Sequence, residues 1–159
     1  MSKSRCDEND SNDVMQWLTF KLENETYGIN VMHVQEVLRY AEIAPVPGAP
    51  YYVLGIINLR GSVVTLIDTR SRFDLPTIEN TEHSRIIIAS EKQVVGILVD
   101  SVAEVVYLKE SEIDETPKAG KTQNAKFIQG LSHRDGKLLS LVDLEQLLLD
   151  DEWEALKSF

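Results

Sequence analysis

Apolar and polar side chains alternate over short stretches of the first half of the chain, and this pattern predicts β-strands. From Met15 onward, the first half of the chain is therefore interpreted as a series of strands. Prolines at 45, 47 and 50 exclude regular structure from the segment 44–50. The predicted strands are Trp17–Leu22, Tyr27–Ile29, Val34–Tyr40, Val53–Asn58 and Val63–Asp68.

The last two predicted strands flank a tight turn. The turn has the sequence Leu59-Arg60-Gly61-Ser62, and a glycine supplies the positive φ that a tight hairpin requires. The two strands are strongly apolar, and Arg60 is expected to lie at the exposed tip between them.

The second half of the chain repeats the pattern of the first half. Gly28 is matched by Gly96 at an offset of 68 residues, and Gly61 is matched by Gly136 at an offset of 75. Apolar positions match between the two blocks at the same offsets, so we infer an internal duplication. Because the offset grows by 7, the second copy is expected to carry a loop insertion, in the polar segment Thr116–Lys126.

The length and strand content of each copy predict the fold. Each copy has roughly 65–70 residues and five short strands, which suits a small closed or nearly closed barrel without exposed edges. Two such barrels would pack over a shared core. The predicted organisation is a disordered acidic tail over 1–14, a first barrel over 15–84, a second barrel over 85–149 and a C-terminal helix over 150–159.

The C-terminal segment differs from the rest. Asp143 is expected to cap a helical turn or two over Leu144–Leu149. Asp151 and Glu154 have the spacing of a capping box that would begin the last helix. Trp153, Leu156 and Phe159 would share one face and pack against the barrels, although a partner-binding helix is the alternative.

Composition excludes several classes of protein. The chain has 16 basic and 26 acidic residues, a net charge of −10, which disfavours nucleic-acid binding. Its single cysteine, Cys6, permits no internal disulfide and fits a reducing compartment. The chain has no signal-peptide pattern and no apolar run of about 18 residues, so we expect a cytoplasmic protein without direct membrane insertion.

Candidate chemistry is sparse. The three histidines, His33, His83 and His133, are far apart and match no metal-binding spacing, and no phosphate-binding glycine loop is present. We therefore expect no cofactor, no metal and no catalytic residue, and a binding function is favoured. A sensory module with a small ligand between the barrels is the main alternative, and a hydrolase with a dispersed site is a weaker one.

The duplication separates structural positions from candidate contact residues. Residues identical in both copies are best explained by the shared backbone, whereas the tip Asn58-Leu59-Arg60 differs from its repeat His133-Arg134-Asp135. Arg60 is the leading contact candidate, because a guanidinium pairs well with a partner's carboxylate or carbonyl. Glu36 is repeated by Glu104, so a structural role and a contact role both remain open.

Five sequence runs resemble the CheW-like domain family of bacterial chemotaxis adaptors. They are Tyr-Gly-Ile-Asn (27–30), Val-Gln-Glu-Val-Leu (34–38), Gly-Ile-Ile-Asn-Leu-Arg-Gly (55–61), Thr-Leu-Ile-Asp-Thr-Arg (65–70) and Val-Gly-Ile-Leu-Val-Asp-Ser-Val (95–102). The resemblance implies a mainly β fold, two five-stranded SH3-like barrels from the duplication around a common core. It also implies a non-catalytic adaptor that couples chemoreceptor cytoplasmic tips to the regulatory domain of the histidine kinase CheA, and that is recruited to membrane-associated receptor arrays.

The resemblance carries over to particular residues. The receptor-binding positions that it implies are Val34, Glu36, Asn58 and Arg60. The kinase contacts are placed at Ile43, Val46, Asp68 and Arg70. The two partners are expected to occupy different surfaces, and other copies of the adaptor are further possible partners in ring-shaped arrays.

Overall fold

A computed structural model of the chain describes residues 14–39, 43–76, 81–90, 93–114, 127–134 and 136–156. The strands within these residues are β1 (Val14–Leu22), β2 (Glu25–Asn30), β3 (Val34–Arg39), β4 (Val53–Leu59), β5 (Ser62–Asp68), β6 (Arg85–Ser90), β7 (Val94–Val99), β8 (Ser101–Lys109), β9 (Ile128–Arg134) and β10 (Lys137–Val142). The helices are α1 (Thr69–Arg72) and α2 (Asp150–Leu156), and 3₁₀ turns occupy Val31–His33, Glu110–Glu112 and Leu144–Leu147.

All five strands predicted for the first half are present, and the fold is mainly β as expected. Val14 is the first residue of β1, so residue 14 does not belong to the predicted tail. The rest of the tail lies outside the described residues. So does the segment 116–126, where we expect the loop insertion.

The strands form two five-stranded sheets, and each sheet takes strands from both halves of the chain. Their orders are β8-β1-β2-β10-β9, called here the first sheet, and β3-β6-β7-β5-β4, called the second sheet. The predicted boundary between residues 84 and 85 therefore does not separate the sheets. The physical reason is the pair of parallel ladders β2·β10 and β5·β7, which join strands from opposite halves.

The duplication is visible in the topology. The order of the first sheet follows from that of the second when each strand is replaced by its repeat, so that β8, β9 and β10 stand for β3, β4 and β5, and β1 and β2 stand for β6 and β7. The registers also agree, because Gly28 lies opposite Leu141 in one parallel ladder and Gly96 lies opposite Leu66 in the other. The chain is thus a fused pair of repeats that exchange strands.

The core has three parts. One cluster lies against each sheet alone, around Leu141 in the first sheet and around Leu66 in the second. The largest cluster combines apolar residues of both sheets and of the C-terminal segment, including Phe20, Ile67 and Trp153. This arrangement confirms the expected shared core.

After each edge strand, the chain crosses toward the opposite edge of the same sheet. Ala44, which follows β3, bridges to Ile56 of β4, and Asp114, which follows β8, bridges to Leu131 of β9. Each sheet is therefore curled, so that its two edge strands come near one another.

The C-terminal helix packs on the shared core, as Trp153 and Leu156 are buried. The predicted capping box at Asp151 and Glu154 is wrong, because the helix begins one residue earlier. Glu152 instead accepts a hydrogen bond from the backbone N–H of Leu149, at 2.7 Å. The predicted cap at Asp143 is confirmed, since its carboxylate accepts the N–H of Glu145 at 3.1 Å. Phe159 lies outside the described residues.

A buried arginine joins α1 to this C-terminal segment. Arg72 donates to the Leu147 carbonyl at 2.7 Å and forms a salt bridge with Glu152 at 2.6 Å. Its guanidinium also lies over the rings of Tyr52 and Phe127, 5.2 and 5.5 Å from their centroids. These contacts fix the helix against the sheets.

The repeated glycines predict unequal effects of substitution in the two sheets. A methyl group at Gly96 would overlap Leu66 and come within 3.2 Å of Ile86, whereas at Gly28 the nearest atom, on Leu141, is 3.2 Å away. We expect Gly96→Ala to destabilise the fold by about 1–3 kcal/mol through overpacking. Gly28→Ala is the matched control, and its effect should be clearly smaller. Chemical denaturation of both variants measures the difference, and equal losses would contradict the packing account.

Candidate partner-binding surfaces

The hairpin between β4 and β5 presents Arg60 to solvent. Arg60 and Gly61 both have positive φ, at 50° and 87°, and Asn58 Oδ1 accepts the N–H of Gly61 at 3.0 Å. The Arg60 side chain is 72% exposed, and its guanidinium pairs with the carboxylate of Glu36 on β3. The hairpin sequence thus holds the charged tip in one orientation.

Three of the four predicted receptor-binding residues lie together. Glu36, Asn58 and Arg60 surround the hairpin tip, and Glu36 is paired to Arg60 across the curl of the second sheet. Val34 lies two residues before Glu36 on β3, half-buried against the shared core. Its repeat Val102 is half-buried against the same core, which makes this pair of positions symmetric in the fold.

The role of Glu36 is clearer from its contact. The hydrogen bond found for its carboxylate comes from the Arg60 guanidinium. In the other copy the corresponding residues, Glu104 and Asp135, are both acidic, so they could not form this pair. The pair is therefore specific to the first copy and is not a requirement of the repeated fold.

A mainly apolar groove of about 470 Å³ runs beside the same hairpin. It is lined by Ile43 and Pro45 from the chain after β3, and by Asn58 and Val63 from the hairpin. Val63 is 58% exposed. The predicted kinase residue Ile43 and the predicted receptor residue Asn58 therefore line the same groove.

The other predicted kinase residues have different positions. Val46 is half-buried, and its carbonyl accepts the N–H of Ala49 at 3.1 Å in a turn. Asp68 is the N-cap residue of α1, and its carboxylate accepts a hydrogen bond from the hydroxyl of Ser71 at 2.7 Å. Its backbone N–H donates to the Tyr52 carbonyl at 2.8 Å. Asp68 therefore shapes the loop after β5.

Arg70 is enclosed in the protein. Its side chain is only 8% exposed and donates to both carboxylate oxygens of Asp100, at 2.9 and 2.6 Å. It also bonds to the Pro76 carbonyl at 2.5 Å and to Glu23 at 3.3 Å. This burial does not fit a direct kinase contact, because the guanidinium donors are already satisfied. Arg70 instead stabilises the loop after β5 through its bonds to Asp100 and to the Pro76 carbonyl.

Asp100 has a perturbed ionisation. Burial alone would raise the pKa of Asp100, but hydrogen bonds from Arg70 and from the backbone N–H of Glu23 outweigh this effect and hold the pKa below its usual value of 3.8. The hydrogen bond to Asp100 likewise raises the pKa of Arg70. Both groups are charged at neutral pH, and the pair links the two halves of the chain.

The described residues contain no group of three His, Cys, Asp or Glu side chains placed to hold a metal ion. Among them there is also no helix of sufficient length and hydrophobicity to cross a membrane.

The model of the CheW-like domain family matches residues 16–152 of this chain. The chain belongs to the CheW-like domain family. Among CheW-like relatives, the chemotaxis protein CheW of Rhizobium meliloti (strain 1021) is 33% identical over 139 residues, which cover 87% of this chain and 90% of the relative. The CheW of Klebsiella aerogenes is 35% identical over 138 residues, 86% of this chain and 83% of the relative.

A solved structure of this family agrees with the fold. The crystal structure of the scaffolding protein TtCheW from Thermoanaerobacter tengcongensis has a TM-score of 0.78 and 32% sequence identity. The match covers 84% of this chain and 91% of that chain. The predicted family and the predicted mainly β fold, with ten strands in two five-stranded units and a short C-terminal helix, are thereby confirmed. Each unit is a sheet with strands from both halves of the chain, and not a barrel formed by one half as predicted.

Sequence reasoning missed one exposed apolar residue of the CheW-like surface, Val63. The duplication carried a usable signal, because the repeat of Val63 is Leu138, and both are apolar although both are exposed, at 58% and 41%. Such an exposed apolar residue is a candidate for a contact where it lines an apolar groove, as Val63 does.

The Asp100–Arg70 pair predicts acid sensitivity. Because the pKa of Asp100 is lowered by folding, its stabilising contribution is complete above the unfolded pKa of about 4 and is lost as the pH falls through the folded pKa. Asp100→Asn should be less stable than the parent chain at pH 7, and the difference should shrink below about pH 4. Urea unfolding of both proteins at several pH values measures this, and a difference independent of pH would contradict the assignment.

Proposed function

We propose that this chain is a non-catalytic adaptor that couples chemoreceptor cytoplasmic tips to the regulatory domain of the histidine kinase CheA. The observation that carries the proposal is the exposed Arg60, held by Glu36 at the tip of the Asn-Leu-Arg-Gly hairpin of a CheW-like fold. As an adaptor it acts in the cytoplasm, at membrane-associated receptor arrays.

The receptor contact centres on Arg60. A guanidinium oriented by a neighbouring carboxylate loses little side-chain entropy on binding, so it is prepared for a partner's carboxylate or carbonyl oxygen. Val34 adds a half-buried apolar position on the strand that carries Glu36. Together with Asn58, these residues combine a charged tip with an apolar border, as hot spots of interfaces do.

The kinase contact is assigned to the groove beside the hairpin. Ile43 and Val63 supply apolar surface there, and Val46 lies in the turn-rich segment that follows Ile43. Asp68 and Arg70 are assigned a supporting role, because they fix the loop after β5 from inside. Other copies of the adaptor are proposed to bind in the same way within ring-shaped arrays.

The adaptor acts by assembly. Simultaneous binding of receptor and kinase raises the effective concentration of each at the other without any new chemistry. The kinase exists in two conformations, and the adaptor binds one of them more tightly than the other when the receptor is in a given state. A change of receptor state therefore shifts the equilibrium between the two kinase conformations. The adaptor contributes rigid, oriented surfaces and converts no substrate.

Reversing the charge of Arg60 tests the receptor contact. Arg60→Glu should weaken co-sedimentation with receptor-containing membranes about tenfold or more, since a tip guanidinium is replaced by a repelling carboxylate. The melting temperature should change little, because the side chain is exposed.

Lys137→Glu is the matched control for that variant. Lys137 begins the strand after the other hairpin tip, is exposed, and undergoes the same change of charge. It should leave co-sedimentation close to that of the parent chain. Normal receptor binding by Arg60→Glu, or equal losses in the two variants, would count against the assignment.

A second pair of variants tests the kinase groove. Val63→Glu places a charge in the apolar groove and should weaken binding of the CheA regulatory domain about tenfold or more in titration calorimetry. Leu138→Glu makes the same change at the repeated position of the other sheet and should leave that affinity within about twofold. If the two variants lose affinity equally, the groove beside the first hairpin is not the kinase site.

A further inference from the structure

A second pocket, of about 300 Å³, lies on the first sheet and has no role in the proposed adaptor contacts. Its apolar lining comprises Met15 and Trp17 of β1, Leu141 of β10, and Ile113 beyond β8. Trp17 is 2% exposed and belongs to the cluster against the first sheet, so the pocket lies directly beside that core.

The indole N–H of Trp17 is buried and has no hydrogen-bond partner among the residues that the structure describes. Buried donors are almost always paired, so an unpaired one requires an explanation. The second tryptophan of the chain is ordinary in this respect, since Trp153 Nε1 donates to the Glu145 carbonyl at 3.0 Å. Because Trp17 itself lines the pocket, a ligand with an acceptor atom is the partner that this donor lacks.

The repeat provides an internal comparison for the polar lining. Asn30 and Gln129 line this pocket, and the residues at the repeated positions are Leu98 and Leu54. Both leucines are half-buried against the core of the second sheet and fill the corresponding space. The fold therefore does not require amides here, and the first sheet has an opening with hydrogen-bonding groups where the second has packed leucines.

Two carboxylates give the pocket its charge preference. Glu110 and Asp114 line it and are exposed, and the repeat of Asp114 in the other bridge is Ala44. A ligand with a positive charge next to an acceptor would satisfy the carboxylates and the indole N–H together, while an apolar group covers Met15 and Ile113.

We propose that this pocket binds a small primary ammonium compound that carries a carbonyl group and an apolar side chain, the chemical class of an apolar amino-acid amide. The ammonium group lies by Glu110 and Asp114, the carbonyl accepts the Trp17 N–H, and the side chain enters the apolar part. The site is separate from the groove and hairpin of the adaptor surface, so its test is independent of the adaptor proposal.

Nuclear magnetic resonance on the full chain tests the site, with leucinamide as the probe. The chain has two indole N–H signals, and the one from Trp17 is identified by its loss in Trp17→Phe, or by contacts with the Leu141 methyl groups if that variant does not fold. Titration with leucinamide should shift the Trp17 indole signal in a saturable way and leave the Trp153 signal in place.

Two comparisons make the result specific. N-acetyl-leucinamide, which lacks the charge, should bind about tenfold more weakly, and the Glu110→Gln/Asp114→Asn double variant should weaken leucinamide binding by a similar factor. Glu82→Gln, which removes an exposed carboxylate elsewhere, should leave it unchanged. No shift of the Trp17 signal up to about 10 mM leucinamide, equal shifts of both indoles, or equal binding of the acetylated probe would overturn the proposal.

Discussion

The parallel pairing of strands from opposite halves of the chain is the constraint on which the rest of the structure depends. Gly28 lies opposite Leu141 and Gly96 opposite Leu66, so each sheet has one strand ladder that neither half could make alone. The facing leucine leaves no room for a Cβ at Gly96 and only a tight space for one at Gly28. As a consequence, the two sheets and their shared core form as one cooperative unit rather than as two sequential domains.

Because the two sheets have equivalent strand orders, each can be compared with the other within the same molecule. Each position has a counterpart in the same kind of environment, so a residue that the counterpart lacks is not required by the backbone. By this criterion the Glu36–Arg60 pair is specific, since the other copy carries Glu104 and Asp135. The same criterion separates the amide Asn30 from its counterpart, a packed leucine. The two copies therefore differ at the Arg60 hairpin of the second sheet and at the pocket of the first sheet.

Much of the fold followed from the sequence because strands and hairpin glycines are local patterns, and because a repeat can be found by comparing the sequence with itself. The exchange of strands between the two halves could not be predicted. A repeat shows which strands are equivalent, but it does not show whether a strand pairs within its own half or with the other half. The exposure of Arg60 could be predicted from its turn, where the backbone itself faces solvent. The burial of Arg70 could not, because its partner Asp100 is 30 residues away in sequence and reaches it only in the folded chain.

The two buried arginines show how α1 supports the partner surface. Arg70 ties the helix to Asp100, at the end of β7, and Arg72 ties it to Glu152 in the C-terminal helix. Removing one partner of a buried ion pair leaves an uncompensated charge, so both ties resist local opening. Since α1 directly follows β5, the strand that forms the Arg60 hairpin, the hairpin is attached to a braced element. The proposed adaptor role requires a rigid support for the hairpin, and these two ion pairs, which lie inside the fold, are suited to provide it.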